Sequence, residues 1–195
     1  MLADCGYHAV RNTGGTMEMS DNLVLDNYRA GAYLGNRSAH GTIRNNLFMG
    51  NRGAIWAYAR SDMNLENNIF ARSKESAVSF RNTCGLTLRG NSFLNNPIGL
   101  IQYEEEKVKG GYGAALFGNH YSNNEKDQEN YILESSLVSG KPNFTNPAKG
   151  DFSPGEGSPL LDDLGQVQAG LSDAAAIEKV WARWQEHKNA GKADA

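Results

Sequence analysis

Several large protein classes are excluded by what this chain has little of. Two cysteines, Cys5 and Cys84, are too few for a disulfide framework, and their separation is no metal-ligand spacing. They read as two buried or half-buried free thiols. The four histidines, His8, His40, His120 and His187, are scattered, with no paired-histidine motif. Glycine-rich phosphate loops and a nucleophile elbow are missing. No run approaches the ~18 apolar residues of a membrane-spanning helix. Met1 to Val10 lacks the charged-then-apolar pattern of a signal peptide, so the compartment stays open. Positive charge is not in excess: 19 Lys and Arg against 22 Asp and Glu give a net charge of -3, without the basic footprint of a nucleic-acid binder.

What remains is a chain of 195 residues, 39% hydrophobic, enough for one domain with a real core. Prolines number 5, but there are 22 glycines and 21 asparagines. Asparagine tolerates the left-handed backbone and bonds its own neighbourhood, so the composition is that of a folded chain with many turns.

The asparagines are periodic. Asn22, Asn46, Asn68, Asn91 and Asn119 are separated by 24, 22, 23 and 28 residues, the last step carrying the insertion Glu104 to Gly113. Three residues before each stands an apolar side chain (Met19, Ile43, Leu65, Leu88, Leu116), and two residues after stands another (Val24, Phe48, Phe70, Phe93, Tyr121). A third apolar run follows nine or ten residues later, at Ala32 to Leu34, Ile55 to Ala57, Val78 to Phe80 and Leu100 to Ile101. Three short strands per repeat, recurring in register, fit stacked coils in which each strand pairs with its equivalent one coil above. The pattern predicts an internal column of Phe48, Phe70, Phe93 and Tyr121 and a column of the five asparagines. The residue before each asparagine (Asp21, Asn45, Asn67, Gly90, Gly118) is of a type that accepts positive φ at a tight corner.

The short strand, Asn-Asn or Gly-Asn, short strand, glycine-containing turn and third strand resemble the right-handed parallel β-helix superfamily of pectin-lyase-like fold, over roughly Tyr7 to Asn124. The expected fold is an all-β solenoid, a right-handed parallel β-helix of about five to six coils over residues 1–130. An irregular capping segment follows at 131–172, then an amphipathic helix at 173–190. Gly150-Asp151-Phe152 followed by Gly157-Ser158-Pro159-Leu160-Leu161-Asp162 resembles the closing segment of many bacterial β-helix proteins. Ser172 is the expected helix cap, and Ile177, Val180, Trp181 and Trp184 form one apolar stripe. Leu23, Leu47 and Ile69 face outward in register and should be covered, by the C-terminal segment or by another subunit. The first coil begins almost at Met1 with no polar cap, which reads as a fragment of a longer protein or an end that needs a partner.

Stacking also aligns the outer face. Arg11, Tyr33 and Trp56 follow inward positions of the first strand, and Tyr58, Arg81 and Tyr103 lie two residues further on. Aromatic faces stack on sugar rings and Arg forks bind carboxylates. The resemblance places the groove of polysaccharide-active relatives on this strand, and implies an extracellular or periplasmic setting. These six residues are therefore the expected substrate-binding face of a polysaccharide-processing protein, a lyase, epimerase or glycoside hydrolase. The alternative is a non-catalytic structural or adhesive module. His40, Arg60 and Lys74 are candidates for acid, base or electrostatic roles on uronates, and Asp62 and Glu75 for a hydrolase pair. Each is equally readable as a solvated turn residue. The acidic triplets and Gly-His-Gly and Arg-Ile-Lys signatures of polygalacturonase-like relatives are missing, as is Asp-Pro-His-Asp of the mannuronan epimerases. No metal centre or cofactor is expected. The carboxylates of the Glu104 to Gly113 insertion could take Ca²⁺, but their contiguous spacing suits a loop overhanging the aromatic face. The expected partner is an oligo- or polysaccharide, with neither nucleic acid nor membrane.

Overall fold

A computed structural model describes residues 1–35, 39–58, 60–81, 84–103, 114–130, 137–138, 141–161 and 166–193. The insertion 104–113 and Arg37 lie outside these residues.

Each repeat contributes one short strand to each of three parallel sheets, because every strand is too short to bury a face alone and can extend only by pairing with the next rung. Among the described residues the sheets have seven, six and five strands. The seven-stranded sheet follows the asparagine corner: Leu2–Ala3, Leu23–Leu25, Leu47–Met49, Ile69–Ala71, Ser92–Leu94, Asn119–Ser122 and Leu137–Val138. The six-stranded sheet holds Val10–Asn12, Ala30–Leu34, Gly53–Ala57, Ser76–Arg81, Ile98–Tyr103 and Lys126–Glu129. The five-stranded sheet holds Gly15–Ser20, Ala39–Arg44, Asp62–Glu66, Gly85–Arg89 and Ala114–Phe117. Five rungs are thus complete across the three sheets, with a sixth present in two of them.

The expected register holds. Val24, Phe48, Phe70, Phe93 and Tyr121 are successive partners, all buried. The rings from Phe48 to Tyr121 follow one another at centroid distances of 5.4, 5.2 and 4.7 Å. At the corner, Asp21, Asn45, Asn67, Gly90 and Gly118 take φ between 51 and 60°. The asparagine after each forms a continuous ladder. Asn68 Nδ2 donates to Asn91 Oδ1 and to the Ile43 carbonyl, while its Oδ1 accepts from the Asn46 side chain and the Asn46 backbone N–H. Asn91 repeats this with Asn119, Leu65 and Asn68.

A second ladder runs at the other end of the seven-stranded sheet. The backbone N–H of Cys5 donates to Asn27 Oδ1, Asn27 to Asn51, Ser73 to Asn96 and Asn96 to Asn124. Both thiols match expectation, Cys84 buried and Cys5 half-buried.

The outward apolar stripe is covered by the chain's own C-terminus. Leu23, Leu25, Leu47 and Ile69 pack with Phe152, Leu171, Ile177, Trp181 and Trp184. The helix runs Ala174–Ala193, extending past the expected end at residue 190. Its cap is Asp173, whose Oδ1 accepts the Ala176 N–H at 3.2 Å. Ser172, the expected cap, instead bonds Asn45 Oδ1. Asn45 grips the helix start from the solenoid corner: its Oδ1 accepts the Asp173 N–H at 2.8 Å and its Nδ2 donates to the Asp173 carbonyl at 2.9 Å. Beside the helix, Phe144–Asn146 pairs antiparallel with Asp151–Pro154. Gly150 between them has φ 84°, and a Cβ there would sit 2.1 Å from Trp181 Cγ, so only glycine lets the turn lie against that ring.

Two stability outcomes follow. Asn91→Ala leaves a buried backbone N–H of Asn68 unmet and should cost about 3 kcal/mol in urea unfolding, against about 1 kcal/mol for the half-buried end member Asn22→Ala. Trp181→Ala should cost about 3–5 kcal/mol and expose the leucine stripe to a hydrophobic dye.

Candidate functional site

The outer face of the six-stranded sheet is built as the repeat requires. Arg11, Tyr33, Trp56, Ser79 and Ile101 are successive register partners. Arg81 pairs with Tyr103, and the Tyr58 N–H extends the ladder to the Leu34 carbonyl. Arg11, Tyr33, Trp56, Tyr58 and Arg81 line one open hollow of about 360 Å³ together with Tyr7, His8 and Arg29. Tyr103 stands beyond its edge, 45% exposed. Tyr7, His8 and Arg29 sit in turns flanking the first two strands, outside the strand pattern that located the other residues.

The rings are largely engaged with one another and with guanidinium groups. Tyr33 stacks on Tyr58 at 5.6 Å with 28° between planes, and His8 lies 4.8 Å from Tyr33 and 5.6 Å from Trp56. Arg29 lies 4.4 Å over the Tyr7 ring, Arg81 5.0 Å over Tyr58 and Arg11 5.6 Å over Tyr33. His8 Nδ1 accepts the Ala30 N–H, so the neutral ring carries its proton on Nε2. Burial first, then the charges of Arg29 and Arg11, hold the His8 pKa below its ordinary value. Burial also raises the Tyr58 and Tyr103 phenols, with Tyr103 and Glu75 respectively the next contributions.

The acid–base candidates do not gather around this face. His40 and Asp62 lie on the five-stranded sheet, as register partners in a column Thr16, His40, Asp62, Gly85. His40 Nε2 is 2.8 Å from Thr16 Oγ1. Gly41, at φ 136°, shapes this place: a Cβ there would lie 1.9 Å from the Met17 carbonyl oxygen. His40, Asp62 and Met63 line one shallow groove. Arg60 occupies the turn before it, with φ 57°. Lys74 lines a separate hollow beside Ser73 and Asn96. Glu75 forms a 2.8 Å ion pair with Arg52. Asp62 thus starts a strand of the five-stranded sheet and Glu75 lies in the turn before a strand of the six-stranded sheet, so they do not oppose each other as a hydrolase pair.

A family model described as "Periplasmic copper-binding protein (NosD)" matches residues 4–152. The chain belongs to the NosD family. The match spans the solenoid and reaches Phe152 in the closing hairpin. No curated protein and no solved structure matches the chain. Membership overturns the polysaccharide-processing reading, and the structural or adhesive alternative with it, since the NosD description is one of copper binding. The physical reason for the misreading is visible in the face itself. Aromatics favoured on an outer strand stack on each other and under arginines, an arrangement that needs no sugar. Among the described residues, no three His, Cys, Asp or Glu converge as a metal cage, and no helix is long and apolar enough to cross a membrane.

The depressed His8 pKa makes a titration prediction. By NMR, His8 should titrate below 6.5, and Arg29→Gln should raise the midpoint without restoring it fully, because burial is the larger cause. A depressed folded pKa contributes stability that is present above 6.5 and is lost as pH falls through the folded value. Unfolding followed across that window should show the loss, and His8→Gln should flatten it.

Proposed function

We propose that this NosD-family chain binds copper as a cargo in the periplasm and serves nitrous oxide reductase maturation. The observation that carries the reading is the family match over residues 4–152, which covers the solenoid rather than an appended segment. We also assign the solenoid to the wider pectin-lyase-like superfamily, on its three parallel sheets and corner asparagine ladder.

The donor chemistry nearest to copper's preferences is in the groove of the five-stranded sheet. The His40 imidazole and the Asp62 carboxylate on the next rung line it together. Imidazole suits copper, and a carboxylate adds the negative charge that favours Cu(II). The set is smaller than a closed cage of three or four ligands. An ion held by so few protein groups exchanges readily, which suits a cargo that is passed on.

The test is competition of the full chain against a chromophoric chelator, with Cu(I) under anaerobic conditions and with Cu(II) in air. The wild type should bind copper. His40→Ala combined with the isosteric Asp62→Asn should weaken binding about tenfold or more. A wild type that takes no copper sinks the copper reading. Binding unchanged in the double variant leaves it standing and moves the site off this groove.

A further inference from the structure

The hollow on the six-stranded sheet plays no part in the copper reading, and its end at the first two rungs has a chemistry of its own. Tyr33 leans along its strand over Gly35, and Trp56 leans toward the opposite strand end over Gly53. A Cβ at Gly35 would meet the Tyr33 ring at 2.7 Å, and one at Gly53 would meet Trp56 Nε1 at 2.0 Å. The two glycines thus let both rings lie low as a floor. At its edge the His8 ring contacts Tyr7 at 4.5 Å and Tyr33 at 4.8 Å. The Arg29 guanidinium lies over the Tyr7 ring and is tied there by donation from Nη1 to the Tyr7 hydroxyl at 3.1 Å. The Arg11 guanidinium lies over Tyr33. His8 Nδ1 is turned to the Ala30 N–H, which leaves the Nε2 proton on the side of the ring away from that bond, and among the described residues nothing accepts it. No carboxylate among the described residues lines the hollow. Besides burial, the charges of Arg29 and then Arg11 disfavour a proton on His8, so both guanidinium groups act on the imidazole as positive field without a counter-charge.

We propose that His8, Arg11 and Arg29 bind a tetrahedral oxyanion, a phosphoryl or sulfuryl group that is either free or carried on a small molecule. The three donors do not share a plane. The His8 ring is turned 82° from Tyr7, which carries Arg29, and 36° from Tyr33, which carries Arg11. Donors arriving from different planes match the oxygens of a tetrahedral anion, whereas a planar carboxylate offers two oxygens and leaves one donor unused. A guanidinium placed over a ring keeps its N–H edge for an anion and loses little freedom on meeting it. Arg81 is not used. It stands over Tyr58 on the fourth strand of the sheet, three rungs of ~4.8 Å from Arg11, and Tyr103 is one rung further.

The experiment uses the full chain, without copper, in ~100 mM chloride, followed by calorimetry and by the His8 ring signals in NMR. Inorganic sulfate, doubly charged throughout the range, should bind with a Kd of about 1 mM or tighter, and acetate at least tenfold more weakly. Saturating sulfate should raise the His8 midpoint. Reciprocally, sulfate affinity should rise as pH falls through that midpoint, because a protonated His8 adds a third positive charge. The titratable groups facing His8 are Arg11, Arg29, Tyr7 and Tyr33, none of them a carboxylate or a second histidine, so His8→Gln should remove this pH dependence. Arg11→Gln and Arg29→Gln should each weaken binding about fivefold or more, and Arg81→Gln less than about twofold. Arg11 is exposed, so its replacement leaves the fold standing. Phenyl phosphate binding more tightly than inorganic phosphate identifies a carried group resting on Trp56, and equal or weaker binding identifies the free ion. Absence of both sulfate and phosphate binding overturns the proposal. So does acetate binding as tightly as sulfate, a His8 midpoint that sulfate does not move, or an Arg81→Gln loss as large as that of Arg11→Gln. Copper affinity is measured separately at the His40 groove, so failure here leaves the copper reading untouched.

Discussion

The structure depends on one repeated hydrogen-bonded group, the asparagine side chain buried at the corner between two strands. A solenoid must turn its chain sharply in every rung, and each turn strands polar backbone groups away from water. The asparagine amide meets both needs. It donates to a carbonyl of the preceding rung and to the next asparagine, and it accepts from the side chain and backbone of the preceding asparagine. No part of this arrangement works for one rung alone, which ties the spacing of the sequence to the stacking. The phenylalanine column, the strand register and the flat outer faces follow from rungs held in step by this ladder and its counterpart through Asn27, Asn51, Ser73, Asn96 and Asn124.

Much of the fold was legible because the period is carried by residues whose burial is absolute. Asn46, Asn68, Asn91 and Asn119 cannot drift without leaving amides unsatisfied, so their spacing stands out in the sequence. The second ladder was harder to see because Ser73 stands where an asparagine would continue the series, and its backbone N–H, which no sequence pattern displays, carries that rung. The covering of Leu23, Leu47 and Ile69 was legible as an anomaly, apolar residues where solvent was expected. The identity of the helix cap was not, because Ser172 and Asp173 are both good caps and the choice was made by Asn45, 127 and 128 residues away.

The site was legible in position and misread in meaning. Arg11, Tyr33, Trp56, Tyr58 and Arg81 do share a face, since strand register alone brings them together. Tyr7 and His8 were missed because turns obey no period. Register says nothing of what a face binds, and the same fold serves unrelated chemistries. The candidates taken from the turns do not join this face. His40 and Asp62 lie on a different sheet from the aromatic face, and Glu75 is in an ion pair with Arg52.

The contact between Asn45 and Asp173 closes a loop through most of the molecule, and synthesis runs in one direction. The leucine stripe at rungs two to four is made first, and Ile177, Trp181 and Trp184, which seal it, follow only after the rest of the solenoid. At ribosomal rates of roughly 5–20 residues per second the interval between them is on the order of ten seconds. Throughout it the growing solenoid carries an in-register apolar strip with nothing of its own to cover it. The final helix thus acts as a closure whose absence would mark an unfinished or truncated chain as sticky, and that marks nascent chains of this design as clients for whatever shields hydrophobic surface while they are made.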